Sequence, residues 1–110
     1  MKRILLLCFF SFNLFLYGAN IHVVDYASQA DFKAYLVDYA SQADLLVYKV
    51  DYESRAGKND GNWFFVNYAS QADKTIFFVD YSSQADVIIY FVDYSSRAGW
   101  NHKEKKHLFY

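Results

Sequence analysis

The side chains that could do chemistry here are serines, aspartates, tyrosines and histidines, and most of them recur. Ser28, Ser41, Ser54, Ser70, Ser83 and Ser96 hold one position in a repeated octapeptide. A serine nucleophile needs a base that a third group orients. The histidines are His22, His102 and His107, none of them inside a repeated motif and two of them near the C-terminus. Neither Gly-x-Ser-x-Gly nor a phosphate-binding glycine loop occurs. An active site is built once, so six equivalent serines point to a turn. No catalytic residue is singled out, and the expectation is a protein that is not an enzyme.

The aspartates fall into two sets. Asp31, Asp44, Asp73 and Asp86 end the repeated motif, while Asp25, Asp38, Asp51, Asp80 and Asp93 precede its tyrosine. A carboxylate ring could hold calcium, which takes about six to eight oxygen ligands, but the spacing matches no calcium loop. Turn bonds and solvated strand ends are the expected roles, so no metal and no cofactor is called for. Tyr26, Tyr39, Tyr52, Tyr68, Tyr81 and Tyr94 form a ladder that could stack on a sugar or a peptide. Each ring can bury about 150–250 Å², and the expected place for the ladder is the core. Arg55 and Arg97 stand where other copies have glutamine. They either pair with a motif aspartate or are solvated. No ligand-binding residue is named by the sequence.

These residues are positioned by one motif written six times. Val-Asp-Tyr-x-Ser-Gln-Ala-Asp, or a close variant, begins at Val24, Val37, Val50, Val66, Val79 and Val92. The first three copies and the last three each close on Ser-Arg-Ala-Gly, at Gly57 and Gly99. The halves are offset by 42 residues, so Val24 matches Val66 and Gly57 matches Gly99. A duplication of this kind implies two halves related by a pseudo-two-fold axis.

Each unit should begin with a strand, as in 32–39 and 74–81, which are rich in β-branched and aromatic residues. Alternation puts Tyr35, Val37 and Tyr39 on one face, and Ile76, Phe78 and Asp80 on the other. Both faces are largely apolar, so the strands should be covered on both sides. In so small a domain the chain must wrap itself or associate with copies of itself. Motif serines and aspartates should close the turns on nearby backbone amides. Gly57 and Gly99 should supply positive φ where each half ends. Lys58–Asn62 links the halves, and the basic aromatic tail 100–110 should be loosely ordered.

Residues 1–19 read as a secretory signal peptide: Lys2 and Arg3, an apolar run from Ile4 to Tyr17, then Gly18 and Ala19. The run is shorter than the roughly 20 residues of a membrane span, so no stable span remains after cleavage. The single cysteine, Cys8, lies within this leader, which leaves the rest of the chain without a disulfide or a thiolate ligand. The expected location is periplasmic or secreted. The chain of 110 residues fits one domain, at 20–99, and its 55% hydrophobic content excludes disorder. A formal net charge of −1 gives no reason to expect a nucleic-acid partner.

Tandem Val-Asp-Tyr-x-Ser-Gln-Ala-Asp units, in two sets of three closed by Ser-Arg-Ala-Gly, resemble the 7(1) septoil knot domain family over about Ile21 to Gly99. The resemblance implies a small all-β domain whose backbone forms a deep torus knot with seven crossings. It implies no activity. Asn67 departs from the motif, and His22 stands where other units have Tyr or Phe. Read from the residues alone, the units would suggest a β-solenoid or a small barrel, since threaded chains are rare. The expected function is an exported, non-enzymatic structural or interaction domain. The alternatives are an envelope module that binds a glycan, peptide or cation, a fibre-forming repeat, and a β-barrel in the outer membrane. Six strands and the recurring aspartates speak against the last of these.

Overall fold

The structure, a computed structural model, describes residues 19–109. The leader expected over 1–19 therefore lies outside the described residues except for Ala19. Seven strands follow in order: β1 (Asn20–Val23), β2 (Phe32–Leu36), β3 (Leu45–Lys49), β4 (Asn62–Phe65), β5 (Lys74–Phe78), β6 (Val87–Phe91) and β7 (Gly99–Trp100). Strands β1 to β6 all run parallel and close into a barrel in the order β4-β1-β5-β2-β6-β3, with β3 pairing back to β4. Closure leaves no long free edge to template another chain.

The strand order excludes a solenoid. In a solenoid each strand pairs with the next unit along the chain. Here β1 lies between β4 and β5, and β2 lies between β5 and β6. Every strand of one half is thus inserted between strands of the other, and only β3 and β4, joined by the linker, are barrel neighbours that also follow one another in sequence. Typical partners, such as Phe32 with Ile76 and Ala34 with Val87, come from opposite halves. The two halves are wound about each other, so neither can form its sheet without the other.

Six short 3-10 turns connect the units, at Ala27–Gln29, Ala40–Gln42, Glu53–Arg55, Ala69–Gln71, Ser82–Gln84 and Ser95–Arg97. Each closes by backbone bonds such as Gln29 N–H to Tyr26 C=O at 3.0 Å. Five of them pack on the strand that their connection skips, as the turn after β1 lies against β5 and the turn after β2 against β6, while the turn after β3 lies against β4, the strand it leads to. Serine does not cap these turns, since no side-chain cap bond is made at any of the six. The expectation of serine-closed turns is corrected accordingly; a 3-10 turn this short needs only its own i→i+3 bonds.

Alternation along the strands sorts the two faces. Ile21, Phe32, Ala34, Leu45, Val47, Trp63, Ile76, Val87 and Ile89 are buried in the barrel. Each large side chain among them contributes roughly 1.5–3 kcal/mol by leaving water. Outward residues such as Tyr35, Phe77 and Tyr90 are half-buried beneath the turns of the opposite half. Cover is therefore complete in the middle of the barrel, and partial outside and at the strand ends.

Two further expectations are overturned. The six motif tyrosines are not core: each is between 65% and 67% exposed. The strands end one residue before the motif valine, so the tyrosine lies beyond the pleat, at the residue before a 3-10 turn, with φ near −131 at Tyr39. The tail is not loose. Gly99 and Trp100 pair antiparallel with β3, and Lys103–Phe109 forms a further 3-10 helix.

Candidate functional site

The motif aspartates perform a structural task that crosses the halves. Asp31 donates its N–H to Thr75 C=O (2.9 Å), and its carboxylate accepts the N–H of the same Thr75 (2.9 Å). Asp44 clamps Ile88 in the same way, Asp73 clamps Asn20, and Asp86 clamps Lys33. These bonds tie one half to the other and do not close the aspartate's own turn. The fifth clamp is assembled from two residues. Gly57 donates its N–H to Asn62 C=O, while Asp60 accepts the Asn62 N–H at 3.1 Å. A Cβ on Gly57 would lie 1.8 Å from Asp60 Oδ1. Gly57 is thus a glycine because the Asp60 carboxylate fills its side-chain space, and not for positive φ. Positive φ occurs at Gly61 and Gly99. At the sixth place Gly99 pairs with Leu46.

One clamp is elaborated. Asp44 is 6% exposed, and His102 Nδ1–H donates to its Oδ1 at 2.7 Å. Lys105 Nζ donates to its Oδ2 at 3.1 Å, beside the bond from Ile88 N–H. Burial alone would raise this carboxyl's pKa. The His102 bond, the Ile88 amide and the Lys105 ammonium outweigh burial and hold it below its ordinary value. The tail is fastened here, and Asn101 adds a bond to Ala43 C=O.

The other candidates remain apart. All six motif serines are exposed, and among the described residues no hydrogen bond joins one to a histidine. His22 Nδ1–H donates to Val66 C=O at 3.0 Å. Arg55 and Arg97 are exposed, and neither pairs with a motif aspartate among the described residues. Nor do three His, Cys, Asp or Glu side chains gather as a metal-binding group among the described residues.

What the fold does assemble is a cup at the C-terminal ends of the parallel strands. Val23, Leu36, Lys49, Phe65, Phe78 and Phe91 are the last residues of β1 to β6, one from each strand. With Tyr35 and Val79 they line a depression of about 360 Å³. Its surface is apolar apart from Lys49. Phe65 meets Phe91 edge to face with centroids 6.3 Å apart, and Trp63 supports Phe65 from below at 5.9 Å. Lys49 Nζ lies 4.5 Å from the Phe91 centroid and 5.7 Å from that of Phe65. The ends of barrel strands are a recurring place for binding sites, because side chains from many strands converge there.

The repeated motif, the paired halves and the interleaved parallel barrel are now in place, and they agree with a family comparison. The model of the 7(1) septoil knot domain matches residues 18–101. The chain belongs to the septoil knot domain family. No curated protein and no solved structure matches it. The match reaches beyond Gly99, the end expected from the repeats, to Asn101, the residue that starts the fastening of the tail. Among the described residues, no helix of this septoil knot domain is long and apolar enough to cross a membrane.

Sequence reasoning missed the cup because its six residues are not identical: Val, Leu, Lys and three Phe. The available signal was positional. Each stands immediately before a motif valine, with the inward parity of its strand, and five of the six are apolar.

Proposed function

We infer that this septoil knot domain is an exported, non-enzymatic binding domain whose working surface is the cup at the barrel mouth. The observation that carries the reading is the convergence of six strand ends on one apolar depression with Val23 and Leu36 exposed at its rim. Burying such groups under a ligand is favourable by roughly 25 cal/mol per Å² of apolar surface. A volume of about 360 Å³ suits a small or slender apolar group. The motif serines lack a histidine partner, which supports binding over catalysis.

Export is supported by the basic-then-apolar leader, Lys2 and Arg3 before the run from Ile4 to Tyr17. Ala19 refines where a leader would be cut. It is buried in the core, and its C=O accepts the Phe64 N–H at 2.8 Å. A cut before Ala19 keeps that residue, and one after it removes a core contact.

A neutral, environment-sensitive dye tests the reading. The dye should brighten with the wild-type protein and not with Phe78→Asp, while Tyr81→Ala binds as wild type. Brightening that survives Phe78→Asp and is lost with Tyr81→Ala would move the binding surface to the tyrosines.

A further inference from the structure

We propose that the cup receives a cationic amphiphile, its alkyl chain seated among the phenylalanines and its ammonium group set between the ring faces and a surrounding circle of aspartates. This rests on the reading of the cup as the binding surface and adds the charge of its ligand.

The cup already holds a cation. The Lys49 ammonium lies over Phe91 at 4.5 Å and near Phe65 at 5.7 Å, within the roughly 6 Å at which an aromatic face attracts positive charge. Among the described residues no carboxylate forms a salt bridge with it. The ring faces therefore supply the attraction, and they would act equally on an ammonium brought by a ligand. Lys49 is then an internal competitor for the place.

The field around the cup has the same sign preference. Asp25, Asp38, Asp51, Asp80 and Asp93 each follow a rim residue by two positions, and all five are exposed. At about 3.3 Å per residue they lie within roughly 7 Å of chain from the rim. That is inside the Debye length of about 10 Å at 0.1 M salt, so their charge reaches the mouth. Five carboxylates near the rim outnumber the one lysine in it. An anionic head group would gain Lys49 and meet five like charges, whereas an ammonium gains five opposite charges and has Lys49 alone to displace.

Titration of the purified domain with decylammonium, decanol and decanoate, each below its micelle concentration, tests the proposal. Decylammonium should bind about fivefold more tightly than decanol, the size of preference that exposed charges give, and decanoate more weakly than decanol. The ammonium preference should shrink as salt is raised. Lys49→Ala should tighten decylammonium more than it changes decanol, raising the ammonium preference. The double variant Asp80→Asn, Asp93→Asn should lower the ammonium preference, again with decanol little changed. If decanol binds and decanoate binds as tightly as decylammonium or more so, the charge assignment is overturned and the cup stands. If none of the three binds, the cup itself is overturned.

Discussion

Asp44 and Asp86 occupy the same place in the two halves, 42 residues apart, and both clamp one residue of the opposite half through N–H and carboxylate. Their surroundings differ. Asp86 is exposed, with the Lys33 amide on its carboxylate. Asp44 is buried and also binds His102 and Lys105. The duplicated motif thus supplies a symmetric clasp, and the unduplicated tail converts one copy into an anchor. The difference shows that the tail belongs to the folded unit, since it satisfies a buried carboxylate that the repeat alone would leave half-paired.

The largest effect should come from removing the elaborated member of the pair. Asp44→Ala should lower unfolding free energy by about 3 kcal/mol, through lost charge-assisted bonds and a released tail. Asp86→Ala should cost about 1 kcal/mol, as for one ordinary bond. Urea denaturation of both variants measures the gap. Deleting residues 101–110 should close it to within about 0.5 kcal/mol, because the two sites then share the same partners.

A pH titration sharpens the same comparison. The Asp44 carboxyl is held below its ordinary value of 3.8 in the fold. A carboxyl depressed in this way contributes stability that is fully present above the unfolded value and is lost as pH falls through the folded one. The stability difference between wild type and Asp44→Asn should therefore be constant above about pH 5 and shrink as pH drops below about 4. A difference that grows on acidification would reverse the sign of the coupling.

The smallest effects belong to the tyrosines. Tyr39→Ala and Tyr81→Ala should each change stability by no more than about 0.5 kcal/mol, the range for surface positions. A cost of about 3 kcal/mol at either would return that ring to the core.

The repeat, the two halves, the strand starts and the linker at Lys58–Asn62 are all legible in the amino-acid order, because local pattern determines them. The interleaving is not, because partners such as Ala34 and Val87 are far apart in sequence and 13-residue spacing suits a solenoid equally well. The tyrosines mislead for a definite reason. Period-2 alternation carried through Val37 to Tyr39 keeps the ring on the half-covered face of Tyr35, but the strand stops at Leu36 and the chain bends away from that cover. The Asp60 carboxylate standing in for a side chain at Gly57 has no sequence signal beyond a nearby acid. The tail's docking had one: three lysines and two histidines following a body rich in aspartate.

The central claim is that the barrel mouth is the working surface, and amide chemical shifts test it most directly. The uniformly 15N-labelled domain should be titrated with decanol. The account predicts that shifts concentrate at Val23, Leu36, Lys49, Phe65, Phe78 and Phe91, with the turns at 27–29 and 82–84 unmoved. Shifts gathered on those turns and the tyrosines before them, with the six strand ends silent, would contradict it.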